Sequence, residues 1–142
     1  MRTRPLDNVR FAKWEYPKFD TKGMTEWNWI CQHHENLKIG LQVDIGAFTY
    51  INAKYGVRIE DFVQIGSHCS IYSVSTIDNK KGSISLCRNS KIGSHSVIMP
   101  GVRVGENALI GAFTFVNRDV PANTLAYGIP VRVVRRFRKP KL

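Results

Sequence analysis

Cysteine is scarce in this chain of 142 residues, and it follows no usable pattern. Cys31, Cys69 and Cys87 are odd in number and no pair has CxxC spacing, which argues against a disulfide framework and a cysteine zinc site. The three are read as buried apolar thiols. Long hydrophobic runs are also missing. No stretch approaches the ~18 apolar residues of a spanning helix, so no membrane span is expected. The N-terminus, MRTRPLDNVRFAKW, is basic but lacks the apolar segment of a secretory signal, which points to a cytoplasmic protein. Acidic residues are few: 11 against 21 lysines and arginines, a formal net charge of +10. That balance asks for an anionic partner. Nucleic acid is one such class, but no nucleic-acid-binding motif accompanies the charge and none is expected as a partner. Nucleotide cofactors and nucleotide-linked sugars meet the same demand. Hydrophobic residues, at 43%, are too many for a disordered chain, and the length fits one domain.

What the sequence does have is a period of six. In IGSHSVIMPGVRVGENALIGAFTFV, Ile92, Ile98, Val104, Ile110 and Val116 stand six apart. Upstream, Ile39, Ile45, Ile51 and Val57 share one register; after a slip of two, Ile59, Ile65, Ile71 and Ile77 share the next. Leu86 restores the comb after a break, and Ala122 closes it. Glycine often follows a comb residue, as at Gly46, Gly66, Gly93 and Gly111, and a small or branched residue stands two places before. A helix would space its apolar residues by three and four. Here each six holds a short strand and a turn, so three strands make a triangular coil of about 18 residues. Coils of this kind stack by parallel strand hydrogen bonds at about 4.8 Å.

This pattern resembles the left-handed parallel β-helix of the hexapeptide-repeat proteins, from Leu37 to about Val131. The handedness is implied by the resemblance. The expected architecture is all-β: an N-terminal cap over residues 1–36, a β-helix of about five triangular coils over 37–131, and a basic tail over 132–142. The second half is similar to the coenzyme A-binding end of the galactoside and maltose acetyltransferases. Their marks IGSxxxIxPGV, VIGAxxxVxKD-P and GxPxRVIR read here IGSHSVIMPGV, LIGAFTFVNRDVP and YGIPVRVVRR, with Arg118 where the family usually has lysine. The resemblance implies acetyl-CoA as co-substrate, a homotrimer with clefts between prisms, and transfer to a sugar. It assigns Ser94 and Ala112 to the pantetheine arm, Arg118 and Arg135 to the nucleotide phosphates, and Pro130 to the turn around the adenine. IGAFTYINAKYG is similar to the acceptor-facing segment, with Tyr50 and Asn52 at the matching positions. Two further readings stay open: Asn52 turns the coil, and Tyr50 packs between subunits.

One part of the family pattern is missing. The family's O-acetyltransferases carry a histidine in a loop leaving the middle coils, where it serves as general base. The corresponding segment, IYSVSTIDNKKGSISL, has none. His68 is the first candidate to replace it. It shares a repeat phase with His95, which makes a turn role the competing reading for both. His33 and His34 precede the coils and could serve a neighbour's cleft. Asp78, beside Lys80 and Lys81, could orient or deprotonate an acceptor. A missing base tilts the acceptor toward an amine, because a sugar hydroxyl needs its proton taken while a free amine attacks directly. Trp14, Tyr16, Phe19, Trp27 and Trp29 belong to the expected cap, with a second reading as an aromatic wall for a sugar ring. No HxxxxH occurs, so a histidine zinc site is not expected. The alternative to an enzyme is a catalytically inactive assembly scaffold on the same repeat.

Overall fold

The computed structural model describes residues 13–138. The first twelve residues of the expected cap, and Lys139 and Lys141 of the basic tail, lie outside it. The chain winds as a parallel β-helix with three faces. The first face stacks β1 (Ile30–Gln32), β4 (Tyr50–Asn52), β7 (Ser70–Tyr72), β12 (Val97–Ile98) and β15 (Phe115–Val116). The second stacks β2 (Leu37–Ile39), β5 (Val57–Ile59), β10 (Ile84–Leu86) and β13 (Arg103–Val104). The third stacks β3 (Asp44–Ile45), β6 (Gln64–Ile65), β11 (Lys91–Ile92), β14 (Leu109–Ile110), β16 (Thr124–Tyr127) and β17 (Arg132–Arg136). A hairpin, β8 (Val74–Ser75) with β9 (Lys80–Lys81), stands apart from all three. Five stacked strands on the first face give the expected five coils. Among the described residues no helix is long and apolar enough to cross a membrane.

The comb residues become three columns of matched side chains. Cys31, Ile51, Ile71, Ile98 and Val116 lie over one another on the first face. Ile39, Ile59, Leu86 and Val104 do so on the second, and Ile45, Ile65, Ile92, Ile110 and Ala126 on the third. Every one of these except Ile39 is buried, so the columns form a single core. The small residues two places earlier, such as Thr49, Cys69, Ser96 and Thr114, are buried too. Their hydroxyls are satisfied: Thr49 Oγ1 donates to the Gly66 carbonyl at 3.0 Å and Ser96 Oγ to the Gly111 carbonyl at 3.1 Å.

Two comb positions are corrected. Ile77 is 99% exposed and points away from the core, because it sits on the hairpin that interrupts the comb. Ala122 is exposed, and Val120 takes the second-face position by bridging Val104 in parallel. The cause is shared. From Ile59 round to Ile71, from Leu86 to Ile98, and from Val104 to Val116 the stacked positions keep a step of six. Every departure falls at the corner from the first face to the second. That corner has two extra residues between Ile51 and Ile59, the hairpin between Ile71 and Leu86, and two fewer residues between Val116 and Val120.

The N-terminal segment covers the first coil. Trp29 is buried, and Phe19 meets it edge-on with ring centroids 5.5 Å apart. Trp14 packs against the core and donates its indole N–H to the Val43 carbonyl at 2.8 Å. At the other end β17 folds back antiparallel on β16, pairing Thr124 with Arg136 and Tyr127 with Arg132.

Truncating a central column residue removes contacts to the coils above and below. Ile71→Ala is expected to cost about 2–5 kcal/mol, read from urea unfolding midpoints. A second outcome concerns Cys31, whose thiol is pushed by burial up to about 12 from 9.0, with Glu35 a smaller contributor. The raised value means this thiol's contribution is complete below pH 9 and is lost as the pH climbs towards 12. Melting curves recorded at about pH 8 and about pH 10.5 should therefore differ less for Cys31→Ala than for the parent.

Candidate functional site

The corner from the third face to the first gathers much of the predicted site. Phe48, His68, His95 and Phe113 occupy one turn position in successive coils, with φ of 65°, 58°, 61° and 56°. This left-handed region is uncommon for non-glycine residues and disfavours bulky ones most. Ring stacking offsets part of that strain. Phe48 and His68 lie 5.2 Å apart, His68 and His95 are near-parallel at 4.7 Å, and His95 and Phe113 are near-parallel at 4.8 Å. All four are exposed. His68 is thus a turn residue, and it is also an accessible imidazole held between two rings.

Beside this stack runs a column of small residues. A Cβ on Gly66 would lie 2.6 Å from the Ser94 nitrogen, and one on Gly93 would lie 2.4 Å from the Ala112 nitrogen. Glycine before each turn therefore lets Ser94 and Ala112 close up in adjacent coils. The His95 N–H donates to the Ser67 carbonyl at 3.1 Å and the Phe113 N–H to the Ser94 carbonyl at 3.0 Å. Among the described residues the amides of Ser67, Ser94 and Ala112 donate to no backbone carbonyl, which leaves a row of N–H groups at the edge.

Pro130 follows a cis peptide in the YGIP turn. That turn is clamped to β15, since the Phe115 N–H donates to Gly128 and the Val131 N–H donates to Phe115. Arg135 lies on exposed β17, with its guanidinium 5.4 Å from the Phe137 ring. Arg118 stands at the opposite edge of the first face, in the corner where coil length varies. Within one chain, then, Ser94, Ala112 and Pro130 come together and the two arginines do not.

The outer surface of the first face carries Tyr50, Asn52 and Tyr72. Asn52 Nδ2 donates to Tyr50 Oη at 3.3 Å, and the Tyr50 and Tyr72 rings lie 5.8 Å apart. Asn52 Oδ1 also accepts from the Lys54 N–H at 3.1 Å. Asn52 therefore turns the coil and presents its amide outward at once. Asp78 lies on the hairpin, exposed, with Lys80 Nζ at 3.5 Å. A hydrogen bond from the Ser75 side chain, then the Lys80 charge, hold its carboxyl below the ordinary carboxylate range. Asp78 is therefore ionised at neutral pH and a weak proton acceptor. His68 precedes β7 and Asp78 follows it, so one chain holds them at opposite ends of a strand. His33 pairs with Glu35 at 3.6 Å and His34 stacks on Phe19 at 4.5 Å, both in the cap.

Some features were not read from the sequence. Asn89, Asn107 and Asn123 form a hydrogen-bonded ladder up the corner from the second face to the third, at 2.8 and 3.0 Å, all at positive φ. Their recurrence one place before a small buried residue was the available signal. Tyr72 was another: it stands one coil on from Asn52, with which it is in register. Trp14 and Trp27 line a groove of about 560 Å³ with Glu26 and Asp44, so the aromatic cap also offers a wall. Among the described residues no group of three or more His, Cys, Asp or Glu gathers as a metal site.

The family model for the bacterial transferase hexapeptide (six repeats) matches residues 83–118. The galactoside O-acetyltransferase of Escherichia coli (strain K12) is 50% identical over 54 residues, 38% of this chain and 27% of that protein. Among solved structures, a galactoside acetyltransferase in complex with coenzyme A superposes with a TM-score of 0.68 at 30% identity, covering 78% of this chain and 59% of that one. A hexapeptide-repeat acetyltransferase from Vibrio cholerae, complexed with acetyl coenzyme A, superposes with a TM-score of 0.73 at 26% identity over 78% of this chain and 66% of that one. The chain spans between 27% and 58% of the length of the curated relatives it first matches.

The close approach at Gly93 sets one test of this corner. Gly93→Ala is expected to push Ala112 away and cost about 1–3 kcal/mol by overpacking, seen as a lower urea midpoint.

Proposed function

The chain belongs to the hexapeptide-repeat transferases, of the galactoside and maltose acetyltransferase type, and from that premise we propose that it is an acetyl-CoA-dependent acyltransferase acting on a sugar. The observation that carries the reading is the Ser94–Ala112 column. Glycine spacing leaves a row of amide N–H groups there, which suits the amide-rich pantetheine arm. The cis-Pro130 turn sits at its lower end, and Arg118 and Arg135 supply cations for the nucleotide phosphates. The coenzyme supplies the thioester; this chain binds it, orients the acceptor and moves the proton. The two arginines flank different edges of a prism. A homotrimer, in which the edge of one prism faces the next, therefore completes the cleft.

Tyr50 and Asn52 face the acceptor, with Asn52 both donating to and accepting from sugar hydroxyls. His68 takes the proton of the attacking group. Its ring is exposed and aligned between Phe48 and His95. Asp78, ionised and paired with Lys80, orients charge at the far end of the face rather than acting as a strong base. The acceptor is an amino sugar or a sugar hydroxyl, nucleotide-linked forms included, in cytoplasmic assembly of surface polysaccharide.

The test is acetyl-CoA turnover, read as free thiol, on matched amino and hydroxyl sugars, with His68→Ala alongside. The variant is expected to lose about 10²–10⁴-fold in kcat on a hydroxyl and to keep most of its rate on an amine, with coenzyme affinity unchanged. Absence of both turnover and calorimetric coenzyme binding would overturn the reading in favour of an assembly scaffold.

A further inference from the structure

The corner from the first face to the second absorbs every change in coil length, and it also concentrates unpaired positive charge. The Tyr55 ring, 41% exposed, has the Lys54 Nζ at 5.7 Å from its centroid and the Lys81 Nζ at 5.5 Å. The two lysines come from different coils: Lys54 from the turn after β4, Lys81 from β9 of the hairpin. Among the described residues neither forms an ion pair, since the hairpin's carboxylate, Asp78, is taken up by Lys80. Two like charges gathered at one exposed ring raise the local positive potential, and an anion bound at this corner would offset it.

The backbone beneath this pair is fixed. The Tyr55 N–H donates to Ser73 Oγ at 3.0 Å, and Ser73 Oγ donates to the Asn52 carbonyl at 2.7 Å. The Gly82 N–H closes the hairpin base on the Ser73 carbonyl at 2.9 Å. These bonds tie the turn carrying Lys54 to the hairpin carrying Lys81. The Lys54 N–H itself is held by Asn52 Oδ1, so the cations begin where the acceptor-facing surface of Tyr50 and Asn52 ends.

We infer that this corner binds a phosphoryl group of the acceptor, which is therefore a sugar bearing a phosphate ester or a diphosphate. The inference rests on the acyl-transfer reading. It deepens that reading by naming Lys54 and Lys81 as the residues that hold the acceptor's anionic oxygens, with Asn52 on its hydroxyls. Lysine binds phosphate as a mobile point charge, which suits either a single phosphate or the diphosphate of a nucleotide-linked sugar.

Calorimetry with glucosamine, glucosamine 1-phosphate and UDP-glucosamine tests it without relying on turnover. The parent should bind the two phosphorylated sugars at least about tenfold more tightly than glucosamine, and rising salt should shrink the difference. Preference for UDP-glucosamine over the 1-phosphate identifies a diphosphate; equal binding identifies a single phosphoryl group. Lys54→Gln/Lys81→Gln, both at exposed positions, should lose the tenfold gain while acetyl-CoA affinity stays unchanged. Lys22→Gln, an exposed lysine of the cap, should lose nothing. Equal binding of glucosamine and its phosphorylated forms by the parent overturns the inference. So does a double variant that weakens acetyl-CoA instead, because the lysines would then belong to the coenzyme. If turnover fails on every acceptor while the lysine-dependent phosphate preference persists, the acyl-transfer reading falls and this site stands.

Discussion

Parallel strand pairing sets a single vertical distance, about 4.8 Å, to which every coil must conform. Each side chain in the interior therefore meets the same residue type one coil above and below. Aliphatic columns satisfy this at all three faces, from Cys31 through Val116 on the first to Ile45 through Ala126 on the third. The same distance governs the outer surface. Residues at a turn also fall into register, so an unfavourable backbone angle repeated at each coil carries a stack of side chains along with it.

That coupling explains the chemistry of the corners. In one, asparagines recur and their amides pass a hydrogen bond from coil to coil. In another, phenylalanine and histidine recur at positive φ and their rings stack. A stacked imidazole can be a structural turn residue and an exposed proton acceptor together, so the two readings of His68 are not exclusive. The third corner carries no strict ladder. It tolerates two residues more, a whole hairpin, or two fewer, and it holds Lys54, Tyr55, Asp78, Lys81 and Arg118. Insertions gather where the repeat is free to depart from its period, because there they leave the three columns intact.

Much of the fold was legible in the amino-acid order. The comb gave the strand faces, the interior columns and the five coils, because a period of six with parallel pairing leaves few other ways to bury Ile65, Ile92 and Ile110 together. The comb misled at Ile77 and Ala122 for one reason. Periodicity assumes equal steps, and a corner that changes length moves the next buried residue without altering its type. Phe48 and Phe113 were likewise invisible as turn residues, since bulky side chains are uncommon at the positive φ they adopt.

For the site, the sequence by itself determined which chemical groups are present: a histidine at the turn phase, glycine ahead of Ser94 and Ala112, a cis-competent YGIP turn, and cations without matching carboxylates. Only the tertiary structure decided which of them meet. It set Ser94 over Ala112, placed His68 and Asp78 at opposite ends of β7, and brought Lys81 to the ring beside Lys54 from a residue more than twenty positions away. The physical reason is that coil stacking joins residues one full turn apart, and the length of each turn is fixed by how the corners close rather than by the residues that end up side by side.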